Sequence, residues 1–340
     1  MPVPVNLALQ GGGAHGAFTW GVLDSILADE RIVIRAISGA SAGAMNAVAL
    51  VEGYADGGRE GARRQLRQFW ERIGDQGRFS PIQRNLFDLL FGRWNIEETP
   101  GYLWWEWMSQ ITSPYETNPL DLNPLRDVLT ETIDFKKVRG CSEIQLFINA
   151  TDVHTGRIAV FEHKDLTPAH VLASACLPKL FRAVEIKGVP YWDGGYTGNP
   201  ALFPLFYAND CGDLVIVQLN RVVRKQLPTS ARAIENRLNE ITFNASLLGE
   251  LRAIAFVQKL LDEGRVSEDR YRRLRLHRID ADQALHDLQP SSKANTGPDF
   301  IAWLFERGAK AGKHWLAQHF DALGVHETLD LDAIVKGSAD

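Results

Sequence analysis

The first fifty residues repeat one unit twice. Val3 to Leu9 is a short apolar run that predicts a buried strand, and it stops at Gly11-Gly12-Gly13. Beyond the glycines, Phe18, Val22, Leu23 and Ile26 recur at helical spacing on one face. Ile32 to Ile37 is a second, β-branched run, closed by Ser38-Gly39-Ala40-Ser41-Ala42-Gly43 and followed by a small-residue helix through about Glu52. Strand, turn and helix in this repeat predict a parallel sheet with helices on its faces. Further strands are expected at Ile144 to Ala150, Arg157 to His163 and Leu214 to Leu219. The segment Val184 to Trp192 reads as a hairpin turning at Lys187-Gly188, with Asp193-Gly194-Gly195 just after it.

Two stretches interrupt this pattern. From Arg78 to Asn123, four prolines stand among Phe87, Phe91, Trp94, Tyr102, Trp104, Trp105 and Trp107 with little periodicity, which suggests an aromatic-rich insertion able to act as a lid. From Thr229 to Leu261 the pattern is helical, with Ile234, Ile241, Leu248 and Ala255 seven residues apart and Leu238 and Ala245 between them; Arg252 on that seam argues against a long coiled coil. The expected organisation is a core over residues 1–225, carrying the 78–123 insertion, and a mainly helical part over 226–340 packed on it.

Composition narrows the classes. With 45% hydrophobic and 23% charged residues the 340-residue chain is an ordinary globular protein, not a disordered or collagen-like one. Its formal charge of −5 provides no field for nucleic acid or for an anionic membrane, so any membrane contact must be local. Cys141, Cys176 and Cys211 form no CxxC pair, which points away from disulfides and zinc and toward a reducing, cytoplasmic setting. No signal peptide is read at the N-terminus. The weakly polar run Ala36 to Val51 is shorter than the roughly 20 residues a bilayer span needs.

Chemistry concentrates in three glycine-containing turns. Gly39-Ala40-Ser41-Ala42-Gly43 is a G-x-S-x-G between a predicted strand and a predicted helix, the context of a nucleophile elbow. Gln10-Gly11-Gly12-Gly13-Ala14-His15-Gly16 occupies the same kind of junction, where consecutive glycines let backbone N–H groups converge on an oxyanion. Gly11, Gly13 and Gly16 also fit G-x-G-x-x-G, but the dinucleotide reading needs an acidic residue ending the second strand, and Ile37-Ser38-Gly39 stands there. The third turn is Asp193-Gly194-Gly195.

Taken together, GGGxxG, GxSxG and a late DGG resemble the patatin-like phospholipase family. Ala173 to Pro178, Phe181 and Asn199-Pro200 extend the resemblance, which covers about Val5 to Pro204. It implies an α/β, three-layer α/β/α fold with a mainly parallel central sheet and helical insertions. It also implies a serine acyl hydrolase of the phospholipase A or esterase type, with Ser41 as nucleophile and Asp193 as general base. Gly11, Gly12 and Gly13 would then donate to the oxyanion, with Ala42 N–H added by analogy with hydrolase elbows. Gly16, Gly39, Gly43, Gly194 and Gly195 support the motifs, and neither a metal nor an organic cofactor is required. The family's usual Arg or Lys is replaced here by His15, an imidazole expected to cap local backbone.

Other readings stay open at this level. A Ser–His–Asp triad would draw its base from His277, His286 or His314, although His277 lies in RYRRLRLHR, which reads as a solvated basic face. The Arg270, Arg272, Arg273, Arg275 and Arg278 cluster could alternatively meet anionic headgroups. The substrate could be a phospholipid, a neutral lipid ester, a storage polyester or a thioester. A weakly catalytic module docking on a lipid body through its aromatic segment is the non-enzyme alternative.

Overall fold

A computed structural model of the protein describes residues 2–77, 94 and 111–336. The expected units are present. Strand β1 (Val3–Leu9) leads through the glycine turn into helix α1 (Gly16–Ala28), and β2 (Ile32–Gly39) leads through the Ser41 turn into α2 (Ala42–Gly77). That second helix runs well past Glu52, with a break in helical geometry at Gly57 and Gly58. Short helices α3 (Pro114–Thr117), α4 (Pro124–Thr132) and α5 (Phe135–Gly140) precede β3 (Gln145–Asp152) and β4 (Ile158–Glu162). Helix α6 (Pro168–Ser174) then precedes the hairpin β5 (Val184–Ile186) and β6 (Val189–Trp192). Lys187 and Gly188 turn that hairpin with φ of 53° and 81°, the two positive values that the favoured two-residue turn requires. After β7 (Asp213–Gln218) come α7 (Ala231–Asp262), β8 (Arg275–Asp280), α8 (Pro298–His319) and α9 (Leu331–Lys336).

One sheet takes up every strand described, in the order β5-β6-β3-β2-β1-β7-β8, with β4 paired to β3. The pairs among β3, β2, β1, β7 and β8 are parallel, while β4, β5 and β6 join antiparallel. Side chains alternate across this sheet and so build two cores. Leu7, Leu9, Ile37, Val215 and Val217 face α1, α2 and α8. Ala8, Ala36, Leu214 and Ile216 face the opposite way, toward Leu247, Leu251 and Ile254 of α7 and Leu331 of α9. The result is three layers around a mainly parallel sheet.

Two expectations need correction. The basic stretch holding His277 is not a solvated face: Arg275–Asp280 is strand β8, and His277 is fully buried against Trp315 of α8. Four of its arginines have acidic partners, Arg275 on Asp213, Arg273 on Asp262 and Glu268, Arg272 on Asp210 and Arg278 on Asp280, while Arg270 is exposed. Leu274 and Leu276 face one core and Ile279 the other, and this two-sided burial is the strand signal that the arginines obscure. In α7, Ile234, Leu238 and Ile241 are exposed, while Asn244, Leu247, Leu251, Ile254, Gln258 and Leu261 make the inward stripe. Polar side chains take part in that stripe because they serve loops beneath them, so the apolar pattern by itself selects the wrong face. Of the aromatic insertion, residues 78–93 and 95–110, with the expected lid, lie outside the described residues; Trp94 stacks on Phe300 and packs at a tilt against Trp303 of α8.

Candidate active site

The carboxyl ends of β1, β2 and β7 open on the same edge of the sheet, beside the place where the strand order reverses around β1. Ser41 follows β2 with φ of 52°, a left-handed conformation costly for a residue that carries a Cβ. Tertiary bonds hold it there. The Ser41 N–H donates to Ser174 Oγ at 2.9 Å, Gly43 N–H to Ala40 O at 2.8 Å and Ala40 N–H to Leu9 O at 3.3 Å. A Cβ at Gly43 would run into the Leu9 carbonyl, so the tight seat of this elbow needs that glycine. The side chain of Ser41 remains half-buried and reachable.

Asp193 arrives from the antiparallel side, one residue beyond β6 and next to the carboxyl end of β3. Its backbone is tied on two sides: the N–H donates to Cys176 O at 2.8 Å, and its carbonyl accepts from Thr151 Oγ1 at 2.8 Å. Asn149 Nδ2 donates to Gly194 O and Gly198 O, fixing the turn that follows. The carboxylate has no exposed surface. Its Oδ1 accepts from Gly195 N–H at 2.7 Å, whereas Oδ2 has no hydrogen-bond partner among the described residues. Burial pushes the carboxyl up to about 7, against the lowering effect of Gly195 N–H and of the nearby Ser41 hydroxyl. The hydroxyl is near enough to exert that pull although no formed Ser41–Asp193 bond is present, an arrangement common before substrate draws such groups together.

The glycine turn divides into used and unused donors. Gly11 N–H donates to Asn199 Oδ1 at 2.7 Å, so Gly11 leaves the expected oxyanion set. The N–H groups of Gly12, Gly13 and Ala42 meet no acceptor among the described residues. Gly13 has φ of 58°, and a Cβ there would lie 2.5 Å from the Lys293 carbonyl, so glycine is required on both counts. His15 does not cap backbone: Ser292 Oγ lies 2.8 Å from its Nε2 and itself donates to Gln289 O, which makes Nε2–H the donor. Burial first, and Lys293 second, push His15 down to about 3, leaving a neutral ring.

A web of amides supports these loops, and sequence reasoning missed most of it. Gln10 Oε1 accepts from the N–H of both Leu219 and Asn220, while its Nε2 donates to Asn199 O and to Asn244 Oδ1 of α7. Asn199 Nδ2 donates to Phe243 O, and Glu250 accepts from the N–H of Leu202 and Phe203. Buried Gln10 at the end of β1 was the available signal, but its partners lie 189 to 234 residues away in the chain. The three histidines of the triad reading make no hydrogen bond to Ser41 or Asp193. His277 Nε2 donates to Asp213 Oδ1 and its Nδ1 is bonded to Thr328, His286 lies beside Asp287, and His314 is exposed on α8. No group of three or more potential metal ligands occurs among the described residues.

The family model described as patatin-like phospholipase matches residues 7–208. No curated protein matches the chain. Among solved structures, VipD from Legionella pneumophila is similar at 15% identity, over 90% of this chain and 67% of that one, with a TM-score of 0.39. The type III effector ExoU is similar at 15% identity, over 90% of this chain and 54% of that one, with a TM-score of 0.29. A full-length ExoU in complex with SpcU from Pseudomonas aeruginosa gives 16% identity over 99% of this chain and 67% of that one, at a TM-score of 0.27. More than half of the present chain lies within the family match, and it therefore belongs to the patatin-like phospholipase family, whose members are lipid acyl hydrolases.

Proposed function

We propose that the protein hydrolyses lipid acyl esters through a Ser41–Asp193 dyad and an acyl-enzyme, with Gly12, Gly13 and Ala42 N–H groups receiving the oxyanion. One observation carries the reading: a fully buried carboxyl, held up near 7 and with Oδ2 unpartnered, stands beside a serine on a strained strand-to-helix turn. A carboxylate of ordinary pKa is a poor base for a hydroxyl, and burial brings this one close to the working pH. Ser41 Oγ attacks the ester carbonyl carbon as its proton passes to Asp193 Oδ2, and the carbonyl π pair moves onto oxygen. Collapse breaks the bond to the alkoxy oxygen, which takes the proton from Asp193 and departs as alcohol. Water then attacks the acyl-enzyme, giving its proton to Asp193, and Ser41 regains a proton as the acid leaves.

The surroundings support a lipid as the acyl donor. Ile111, Leu120 and Leu122 are 60%, 77% and 67% exposed, on a segment joined to the loop that leads into the β5–β6 hairpin and so to Asp193. Ala183 N–H donates to Tyr115 Oη, and Arg182 lies over the Tyr115 ring and donates to Pro119 O. Such an apolar rim suits peripheral contact with a lipid surface.

The test is intact-mass labelling with a fluorophosphonate, alongside turnover of phospholipid, neutral ester, polyester and thioester substrates. A single adduct is expected, absent in Ser41→Ala and much slower in Asp193→Asn. Folded wild-type protein that takes no adduct would overturn the dyad.

A further inference from the structure

We propose that Lys293, acting through Asn220, polarises the Gly11–Gly12 peptide and so strengthens the Gly12 N–H as an oxyanion donor. The chain of contacts is continuous. Lys293 Nζ donates to Asn220 Oδ1 at 2.5 Å, and Asn220 Nδ2 donates to Gly11 O at 3.0 Å. Gly11 O and Gly12 N–H belong to one peptide unit, whose trans geometry points them in opposite directions. An ammonium on one end of the Asn220 amide makes its other end a better donor, and the bonded carbonyl in turn makes its N–H more acidic, as in any cooperative chain of hydrogen bonds. Asn220 is itself held by Gln10 Oε1, which accepts its backbone N–H at 2.7 Å, so the relay has little freedom to rotate away.

Lys293 also packs directly on the turn. It lies in a 3-10 turn (Pro290–Ala294) whose backbone carbonyl fills the space a Cβ at Gly13 would need, so it packs on the same glycine turn that it polarises. Beside it is a cavity of about 30 Å³, room for a water rather than a ligand. The charged and titratable groups facing the ammonium come from four elements. They are His15 on the glycine turn, Arg221 and Arg224 after β7, Glu240 on α7 and Asp282 after β8. Arg224 and Arg237 already pair with Glu240, and His15 is neutral, so among the described residues Lys293 is the cation hydrogen-bonded through Asn220 to the glycine turn. Burial, with Arg224 adding to it and Glu240 opposing, pushes the ammonium down to about 8. Tyr196 and Cys176, near Asp193, are both pushed up to about 12 and stay clear of that range.

The inference rests on the oxyanion role given to Gly12 above. The experiment compares kcat and KM from pH 5.5 to 10 for the wild type, Lys293→Met and Lys293→Arg, each checked by melting temperature, with fluorophosphonate labelling of Ser41 in all three. Wild-type kcat is expected to rise through about 7 with Asp193 and fall above about 8 with Lys293. Lys293→Met should lower kcat about tenfold at pH 7, a fraction of the loss from deleting an oxyanion donor, leave KM within about twofold and lose the upper limb. Lys293→Arg should keep most of the rate and move that limb beyond the range. A folded Lys293→Met protein with wild-type kcat and an unchanged upper limb, while Ser41 still labels, would overturn the lysine relay alone. A wild type in which Ser41 does not label would overturn the dyad reading and the relay with it.

Discussion

At Asp193 the features proposed for catalysis work against stability. The folded carboxyl holds its proton to about 7, while in the unfolded chain it ionises near 3.8. Between those values the unfolded state binds fewer protons, so folding loses stability as pH rises, and at pH 8 the penalty of a buried, half-satisfied carboxylate is fully present. Asp193→Asn should therefore stabilise the protein at pH 8 by on the order of a few kcal/mol, with the gain shrinking toward pH 4. Urea unfolding of both proteins at pH 5 and pH 8 checks this. A variant no more stable than wild type at pH 8 would show that the carboxyl is not held out of water. Ser41 carries a similar tension, since its left-handed backbone costs about 1–3 kcal/mol and persists because Ser174 and Leu9 hold the turn. Gly11 shows the limit of motif reading: three consecutive glycines look equivalent along the chain, and only the Asn199 side chain distinguishes the occupied N–H from the free ones.

Among the elements, α1 and α8 meet at unusually close range. A Cβ at Gly308 would run into the Phe18 carbonyl, and one at Gly21 into the Phe305 carbonyl, so each helix seats its backbone in a groove left by the other's glycine. Backbone atoms cannot rotate aside as a side chain can. Gly308→Ala should accordingly destabilise by about 1–3 kcal/mol through overpacking, despite the better helix propensity of alanine. Thermal unfolding reads the outcome, and an unchanged or raised melting temperature would mean that the helices slide apart without cost. On the other face, α7 reaches the site loops through Asn244, Phe243 and Glu250, which makes it a support for Gln10, Asn199 and Leu202 as well as a cover for the sheet. Its periodicity announced a helix, yet the inward face carries the amides, and a hydrophobic pattern ranks those as solvent-facing.

For the molecule as a whole, the family match ends at residue 208, but the sheet does not. β7 pairs with β1 in its middle, β8 extends β7, and α8 covers the α1 side of the core. A fragment ending at residue 225 would uncover Phe18, Leu23 and Ile26 on one face and Leu214 and Ile216 on the other. Such a fragment should accumulate as aggregate, as expected of a large exposed apolar surface with an open strand edge. A soluble fragment that melts cooperatively would instead make residues 1–225 an independent unit.

The strand–turn–helix repeat, the parallel sheet, the Lys187-Gly188 hairpin and the elbow at Ser41 were legible from the sequence, whereas Asp193 stood out only through the resemblance of the three glycine turns to a known family. Each of the legible features depends on residues within a few positions of one another, where period, glycine and turn chemistry act directly on the local backbone. The tertiary structure decided what those residues experience. It determined that Asp193 is buried with one oxygen unpartnered, that Gly11 is spoken for, that His15 is neutral and that β8 hides within an arginine-rich stretch. It also brought Lys293 to a turn 280 residues before it, because burial and charge depend on distance through space, and no local pattern in the chain encodes that distance.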